Sequence, residues 1–307
     1  MKLSLSTNWC NRRLASGEEI ADKALELGFD ELELGFHTTT DQVSGFKARL
    51  DRIPVGSVHA FAPVPISAPC GYPELYSLAS FDEDARKMAS FQVKRNIWFA
   101  SEMGADTLVL HAGRVPFSTF FDRKLDSLKL RERLFACDKK PDAPKYAKML
   151  AKAKRIRSVR GTKLLDLFRS ELDALVPELE KNKVTLALEN LPYLEGFPDE
   201  TEVASLFESY REAPVRAWFD TGHDRVRVSH GWTTPDFFKR PELFAGMHLN
   251  DVEDFYDEHL APGKGKVDFT ALAELARSVR HVVFEPNGGV TEEELRSGVA
   301  LIRSTFV

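Results

Sequence analysis

Apolar positions along this chain follow two periods. Short runs that are apolar throughout, or that alternate with single polar residues, signal strands; longer stretches with apolar residues three and four apart signal helices. The short runs predict strands at Leu3–Ser6, Glu31–Leu34, Pro54–His59, Thr107–His111, Val184–Glu189, Val215–Asp220, Phe244–His248 and His281–Glu285. Helical spacing predicts helices over Gly17–Leu27, Thr39–Leu50, Asp82–Met103, Leu164–Lys181, Glu202–Ser209, Phe269–Ser278 and Thr291–Ser304, with a helical stretch near Pro235–Lys239. Gly28 and Gly104 stop the first and third of these helices. Apolar strands alternating with helices make a parallel sheet covered on both faces. Eight such units predict a closed (β/α)8 barrel, one domain over residues 1–307. An open doubly wound sheet is the competing arrangement, but no G-x-G-x-x-G follows the first strand, so dinucleotide binding has no support.

One connection is out of scale. Gly113 to about Gly161 lies between the fourth strand and its helix, where 2–6 residues are usual. Its composition, as in YAKMLAKAKRIR, predicts helix within the insert. The segment Asp122–Lys163 holds 15 Lys and Arg against 5 Asp and Glu, although the whole chain carries a net charge of −5. In a barrel this loop rises over the C-terminal mouth, so residues 114–160 are expected to form a basic, lid-like insert that faces an anionic substrate.

Composition narrows the class further. At 307 residues, 43% hydrophobic and 29% charged, the chain is that of an ordinary globular protein. No apolar run reaches the roughly 18 residues of a membrane helix. The opening MKLSLSTNWCNRR, with a single Lys and no long apolar stretch, is not expected to act as a signal peptide. Cys10, Cys70 and Cys137 are widely spaced and odd in number, so reduced thiols in a cytoplasmic protein are expected. The negative net charge excludes a generally basic nucleic-acid binder but not a locally basic one.

The strand ends carry the chemistry. Strand three ends in His59, four in His111, five in Glu189, and six in Asp220 with His223 three residues on. Strand seven ends in His248, its loop carries Asp257 and His259 as D-x-H, and strand eight ends in Glu285. These are metal-ligand types, and strand ends of a barrel converge on one mouth. Carboxylates that end apolar strands are costly to bury unless paired or metal-bound. Five of the eight histidines fall in this set; His37, His230 and His281 do not. Nine donors exceed one site. Two or three Zn²⁺ or Mn²⁺ ions fit, with Glu189 and Glu285 placed to bridge. One Mn²⁺ or Mg²⁺ on Glu189, Asp220, His248 and Glu285 also fits, with the other histidines on substrate.

The ordered set SVHAF, LVLHAG, LALEN, WFDTGHD, GMHLND, DEHLAPGKGKVDF and VVFEP resembles the xylose isomerase-like TIM barrels, over nearly the whole barrel outside the 114–160 insert. The resemblance has two branches. The sugar isomerase and epimerase branch implies one metal on Glu189, Asp220, His248 and Glu285. There the two glutamates act as acid and base on opposite faces of one carbon, through an enediolate. Glu195 and His223 match positions that contact substrate in that branch. The epimerases carry an Arg six residues after the strand-seven His, where this chain has Asp254. The endonuclease IV branch implies three zinc ions on all nine donors and hydrolysis of a phosphodiester, with nucleic acid as partner and the basic insert on its backbone. That branch has a bulky Tyr-Leu pair after the strand-three His and a G-x-H-V-S opening; this chain has Ala60-Phe61-Ala62-Pro63 and SLSTNWC. The first branch is therefore the expected one, with a small carbohydrate as substrate, no membrane partner, and a homo-oligomer left open.

Further residues belong to the expected site. Arg114 and Lys264 are read as substrate-binding, with Lys266 beside the latter on its Gly-rich turn. Trp9 and Phe36 are read as an apolar wall or as core, and Asn190 and Asn250 as groups that orient ligands.

Overall fold

The computed structural model describes residues 1–117 and 122–306, so residues 118–121 of the expected insert lie outside the described residues. Eight parallel strands close a barrel: β1 Ser4–Ser6, β2 Glu31–Leu34, β3 Val55–His59, β4 Thr107–Leu110, β5 Thr185–Glu189, β6 Val215–Asp220, β7 Phe244–Leu249 and β8 His281–Phe284. Each strand pairs with its sequence neighbours, and β1 closes the ring against β8 through Ser4–Val283 and Leu5–Phe284. The expected (β/α)8 architecture is the observed one.

Period-two alternation sorts the strand residues. Leu108, Leu110, Leu186, Leu188, Phe219, Met247 and Phe284 join the large core between the barrel and its helices. Val109, Ala187, Trp218 and Val283 form a separate cluster, which is the barrel interior. Two residues on from this inner layer, at the same parity, come His111, Glu189, Asp220 and Glu285. The same alternation that fills the interior therefore delivers the polar ends to the mouth.

The helices are α1 Gly17–Glu26, α2 Thr40–Lys47, α3 Glu83–Glu102, α4 Ser127–Phe135, α5 Pro144–Asn182, α6 Glu200–Ser209, α7 Thr221–Ser229, α8 Ala273–Ser278 and α9 Glu292–Thr305. Three expectations need correction. The helix expected from Leu164 starts at Pro144 and runs 39 residues, so the insert does not end at Gly161. Gly161 lies inside that helix. A side chain at that point would collide with the Glu202 carboxylate and the Arg157 guanidinium packed against it. The stretch after Asp220 is a helix, α7, that its polar sequence TGHDRVRVS concealed. The Asp220 carboxylate caps it, accepting from His223 N at 2.7 Å. The stretch near Pro235 holds only 3₁₀ turns, Phe237–Lys239 and Pro241–Leu243. An unexpected two-stranded antiparallel ribbon pairs Gly113–Arg114 with Gly196–Phe197.

The insert has its own apolar cluster. Leu130 and Leu134 of α4 and Tyr146, Leu150 and Ala153 of α5 pack with Leu194 and Trp232 from the mouth loops. The hydroxyl of Tyr146 donates to the His230 carbonyl at 2.6 Å. Lower down, buried Arg157 locks α5 to α6. Its guanidinium donates to both Glu202 oxygens at 2.6 and 2.7 Å and to the Gly196 carbonyl at 2.7 Å, and also meets Asp199 at 2.7 Å. Removing one member of such a buried pair leaves an uncompensated charge. Arg157→Ala is expected to cost about 3–5 kcal/mol, read as a lowered urea midpoint; an unchanged midpoint would contradict the anchoring role.

Candidate metal centre

Glu189, at the end of β5, is the hub. Its Oε2 lies 3.2 Å from Nε2 of His59 and 3.2 Å from Nε2 of His111. Its Oε1 lies 3.2 Å from Nδ1 of His248 and 3.4 Å from Nδ1 of His223. His248 Nδ1 is also 3.2 Å from Glu285 Oε2 and 3.8 Å from Asp220 Oδ2. Asp257 lies between two imidazoles, 3.4 Å from His223 Nε2 and 3.1 Å from His259 Nε2. All nine expected donors thus meet at the C-terminal mouth. Eight of them fall into three adjoining groups: His59, His111, Glu189; Glu189, Asp220, His248, Glu285; and Asp220, His223, His259, with Asp257 beside the last two imidazoles. Within each group the donor atoms lie within 4.8 Å of one another.

The tautomers test whether a cation fits. His59 Nδ1 faces the Ala60 carbonyl at 2.8 Å, His223 Nδ1 the Asn190 carbonyl at 2.7 Å, and His259 Nδ1 the Glu285 carbonyl at 2.8 Å. A carbonyl only accepts, so Nδ1 carries the proton in each ring, and the Nε2 lone pair is turned toward carboxylates. His248 is reversed: Nε2 donates to Glu33 at 3.0 Å, leaving Nδ1 toward the quartet. Lone pairs facing carboxylates in a buried site repel unless a cation lies between them. That is the arrangement of imidazoles oriented by outer groups for a metal. The donor set therefore fits divalent ions. Without an ion, protons take that place. Burial would push His111 and His223 down, but Glu189 beside the first and Asp220 and Asp257 beside the second hold both up at about 9. Burial likewise opposes charge on Glu189, yet His248 and His111 hold its carboxyl well below the usual range. Asp220 goes the other way, raised by burial.

Supporting residues hold these donors in place. Asn250 donates to Asp220 Oδ2 at 2.6 Å, and Asn190 exchanges two hydrogen bonds with the Asp220 backbone at 2.7 and 3.1 Å. Gly222 permits this, because a Cβ there would run into the Asn250 amide. Buried Asp251 accepts from the backbone N–H of Val252, Gly263, Gly265 and Val267 at 2.8–3.0 Å. The Gly-rich turn of HLAPGKGKV therefore wraps one carboxylate and fixes the loop that carries Asp257 and His259.

Sequence reasoning missed Glu33, Asn8 and Glu74. Glu33 is fully buried on β2, accepts from Ser57 Oγ at 2.8 Å and pairs with His248. The signal was available: in ELEL the second Glu has the inward parity of the strand. Asn8 donates to Glu285 Oε1 at 3.1 Å. Glu74 lies on the long loop after β3, where no periodicity marks it.

A cavity of about 490 Å³ opens above the donors, bordered by Arg12, Phe36, His37, Tyr72, Tyr193 and Asn287 among others. Phe36 stands edge-on to His59, with ring centres 5.2 Å apart, whereas Trp9 is core and donates to the Val290 carbonyl at 2.7 Å. Three residues read as substrate-binding are not among those bordering this cavity. Arg114 closes its fork on Glu74 at 2.7 and 2.8 Å and stacks 3.6 Å over Tyr193. Glu195 accepts from the backbone N–H and hydroxyl of Ser127 at the start of α4. Lys264 is exposed, 4.0 Å from Glu294. Lys266 pairs with Asp254 at 2.8 Å, and Asp254 also takes Arg225.

A closed parallel barrel with a mouth of imidazole and carboxylate groups defines a class of (β/α)8 proteins whose strand ends could hold metal ions. The chain belongs to the xylose isomerase-like TIM barrel family, whose model matches residues 21–305. It is similar to the crystal structure of a D-tagatose 3-epimerase-like protein, at 19% identity and TM-score 0.64 over 100% of both chains. A second similar structure is the 3-keto-D-glucoside 4-epimerase YcjR from E. coli, at 16% identity, TM-score 0.66 and 99% of both chains. An uncharacterized protein, MJ1614 of Methanocaldococcus jannaschii, is 22% identical over 193 residues, which are 63% of this chain and 59% of that protein. At these identities the structures establish the fold alone. Among the described residues no helix is long and apolar enough to cross a membrane.

Glu33 tests the orienting network. Glu33→Gln removes the charge that holds the His248 proton on Nε2 and is expected to weaken divalent-metal affinity about 10- to 100-fold, measured by chelator competition. Unchanged affinity would reduce Glu33 to a packing residue.

Proposed function

We propose that this protein is a divalent-metal-dependent isomerase or epimerase of a sugar or sugar phosphate. The observation that supports this is the buried quartet Glu189, Asp220, His248 and Glu285, of which Glu285 borders the cavity. Its two glutamates come from β5 and β8, three strand positions apart around the ring. A Mn²⁺, Zn²⁺ or Mg²⁺ ion held by these four would polarise a substrate carbonyl. One glutamate takes the proton from the carbon beside that carbonyl, and the other returns a proton to the opposite face. Asn8 and the imidazoles around Glu189 orient the two carboxylates for this exchange. His223, beside Glu189, is within reach of a substrate hydroxyl. Residues 114–160 would act as a lid over this mouth. The similarity to epimerase structures is in keeping with the reading.

One observation favours a second reading. The groups flanking the quartet share Glu189 and Asp220 with it, which is room for up to three ions and for the phosphoester hydrolysis of the endonuclease IV branch. Against damaged-DNA recognition, Phe61, near where that branch carries its bulky pair, is buried and packs edge-on to Tyr76 at 5.1 Å.

Glu189→Gln is expected to abolish turnover under either reading. Two measurements separate them. Metal content per chain by plasma mass spectrometry, on protein never exposed to chelator, should be near one ion for the isomerase and near three for the hydrolase. In deuterated water an isomerase incorporates deuterium at one carbon of a ketose. No incorporation across a ketose panel, together with cleavage of abasic DNA that falls steeply with salt, would replace the first reading with the second.

A further inference from the structure

A second cavity, of about 290 Å³, lies beside the first, under the start of α4. The two share Pro192, Tyr193 and Asp257 as borders, so a ligand seated over the metal donors can extend from one into the other. Its volume compares with about 30 Å³ per water in the liquid, which leaves room for a ring with its hydroxyls.

The walls are of mixed chemistry. Trp232 and Phe255 supply aromatic surface, with the His230 ring stacked on Trp232 at 4.2 Å and edge-on to Phe255 at 5.4 Å. His230 is fully buried. Its Nδ1 donates to the Val226 carbonyl at 2.8 Å, so its Nε2 is an acceptor, and among the described residues that nitrogen has no partner. Arg131, half-buried on α4, lies 4.9 Å over the Tyr256 ring and has no carboxylate partner among the described residues. Glu195, which the resemblance to the epimerase branch implies contacts substrate, borders this cavity and not the first. The borders hold guanidinium and carboxylate groups side by side, Arg114 and Arg131 against Asp126, Glu195 and Asp257. No single sign of charge prevails. Interspersed donors and acceptors on an aromatic wall suit a neutral polyhydroxylated ring better than a phosphate or an apolar group.

We infer that this cavity is a second sugar subsite, and that the substrate is a glycoside spanning both cavities: the reacting sugar over the metal donors, its neighbour under α4. This rests on the sugar isomerase or epimerase reading and deepens it. It also gives the insert a task, since α4 exists only because of the insert and contributes Ser127, Leu128 and Arg131 to the subsite.

The test is calorimetric titration of the metal-loaded, full-length protein with glucose, fructose, maltose, cellobiose and sucrose. At least one disaccharide is expected to bind ten times more tightly than either monosaccharide. Arg131→Ala and His230→Phe should each weaken that disaccharide about tenfold and leave the monosaccharides within twofold. Arg131 is the safeguard if the buried His230 change impairs folding. Disaccharides that bind no better than monosaccharides, or variants that weaken both alike, overturn the subsite and leave the sugar reading standing. If none of the five sugars binds, the sugar reading falls and the subsite with it.

Discussion

Glu189 is a single carboxylate facing four imidazoles, and much of the mouth follows from that crowding. A buried carboxylate among histidines is tolerable only if charge is balanced locally. The structure supplies balance by pinning one nitrogen of His59, His223, His248 and His259 to a carbonyl or carboxylate and turning the other inward. The pinning groups are the Ala60, Asn190 and Glu285 carbonyls and the Glu33 side chain, all in or next to the strand ends. The rigidity of the barrel therefore becomes the orientation of the donors. A site built on strand ends needs no moving part to assemble it.

Asp220 shows how closely fold and site are joined. Its backbone pairs with the Asn190 amide, one oxygen caps α7, and the other takes Asn250 while facing His248. The residue that starts a helix is thus also a member of two donor groups. The Gly-rich turn around Asp251 is similar in kind. A run that reads as flexible is organised by four backbone N–H groups converging on one buried carboxylate. That carboxylate holds Asp257 and His259 at the rim, where the two cavities meet.

The insert differs from the rest of the barrel. α4 and the first half of α5 make a separate apolar cluster, tied to the mouth through Tyr146, Trp232 and Leu194, and to the barrel wall through Arg157. Glu195 links the start of α4 to the loop after β5. The long basic run sits on a helix whose inner stripe is apolar and whose cations point largely outward, so the charge seen along the sequence is mostly surface.

Much of this was legible in the residues themselves. Period-two apolar runs separated by amphipathic stretches make strands and helices by local rules. Eight such units close a ring because parallel strands must be covered and connected the same way each time. Parity then places His59, His111, Glu189, Asp220, His248 and Glu285 at one end of the barrel without any structure. Tertiary packing alone decided the rest. Strand parity turns Glu33 inward, but that it meets His248 of β7 is decided only by the closed barrel. α7 is too polar to show a buried face, and Gly161 reads as the end of the insert because Glu202, which packs against it, is 41 residues away in sequence. Arg114 and Glu195 have the right chemistry at the right height. The partners that keep them from bordering the first cavity, Glu74 and Ser127, come from remote loops whose positions no local pattern encodes. Side-chain type and strand parity are properties of neighbours in the chain; which carboxylate an imidazole or guanidinium finally meets is a property of neighbours in space.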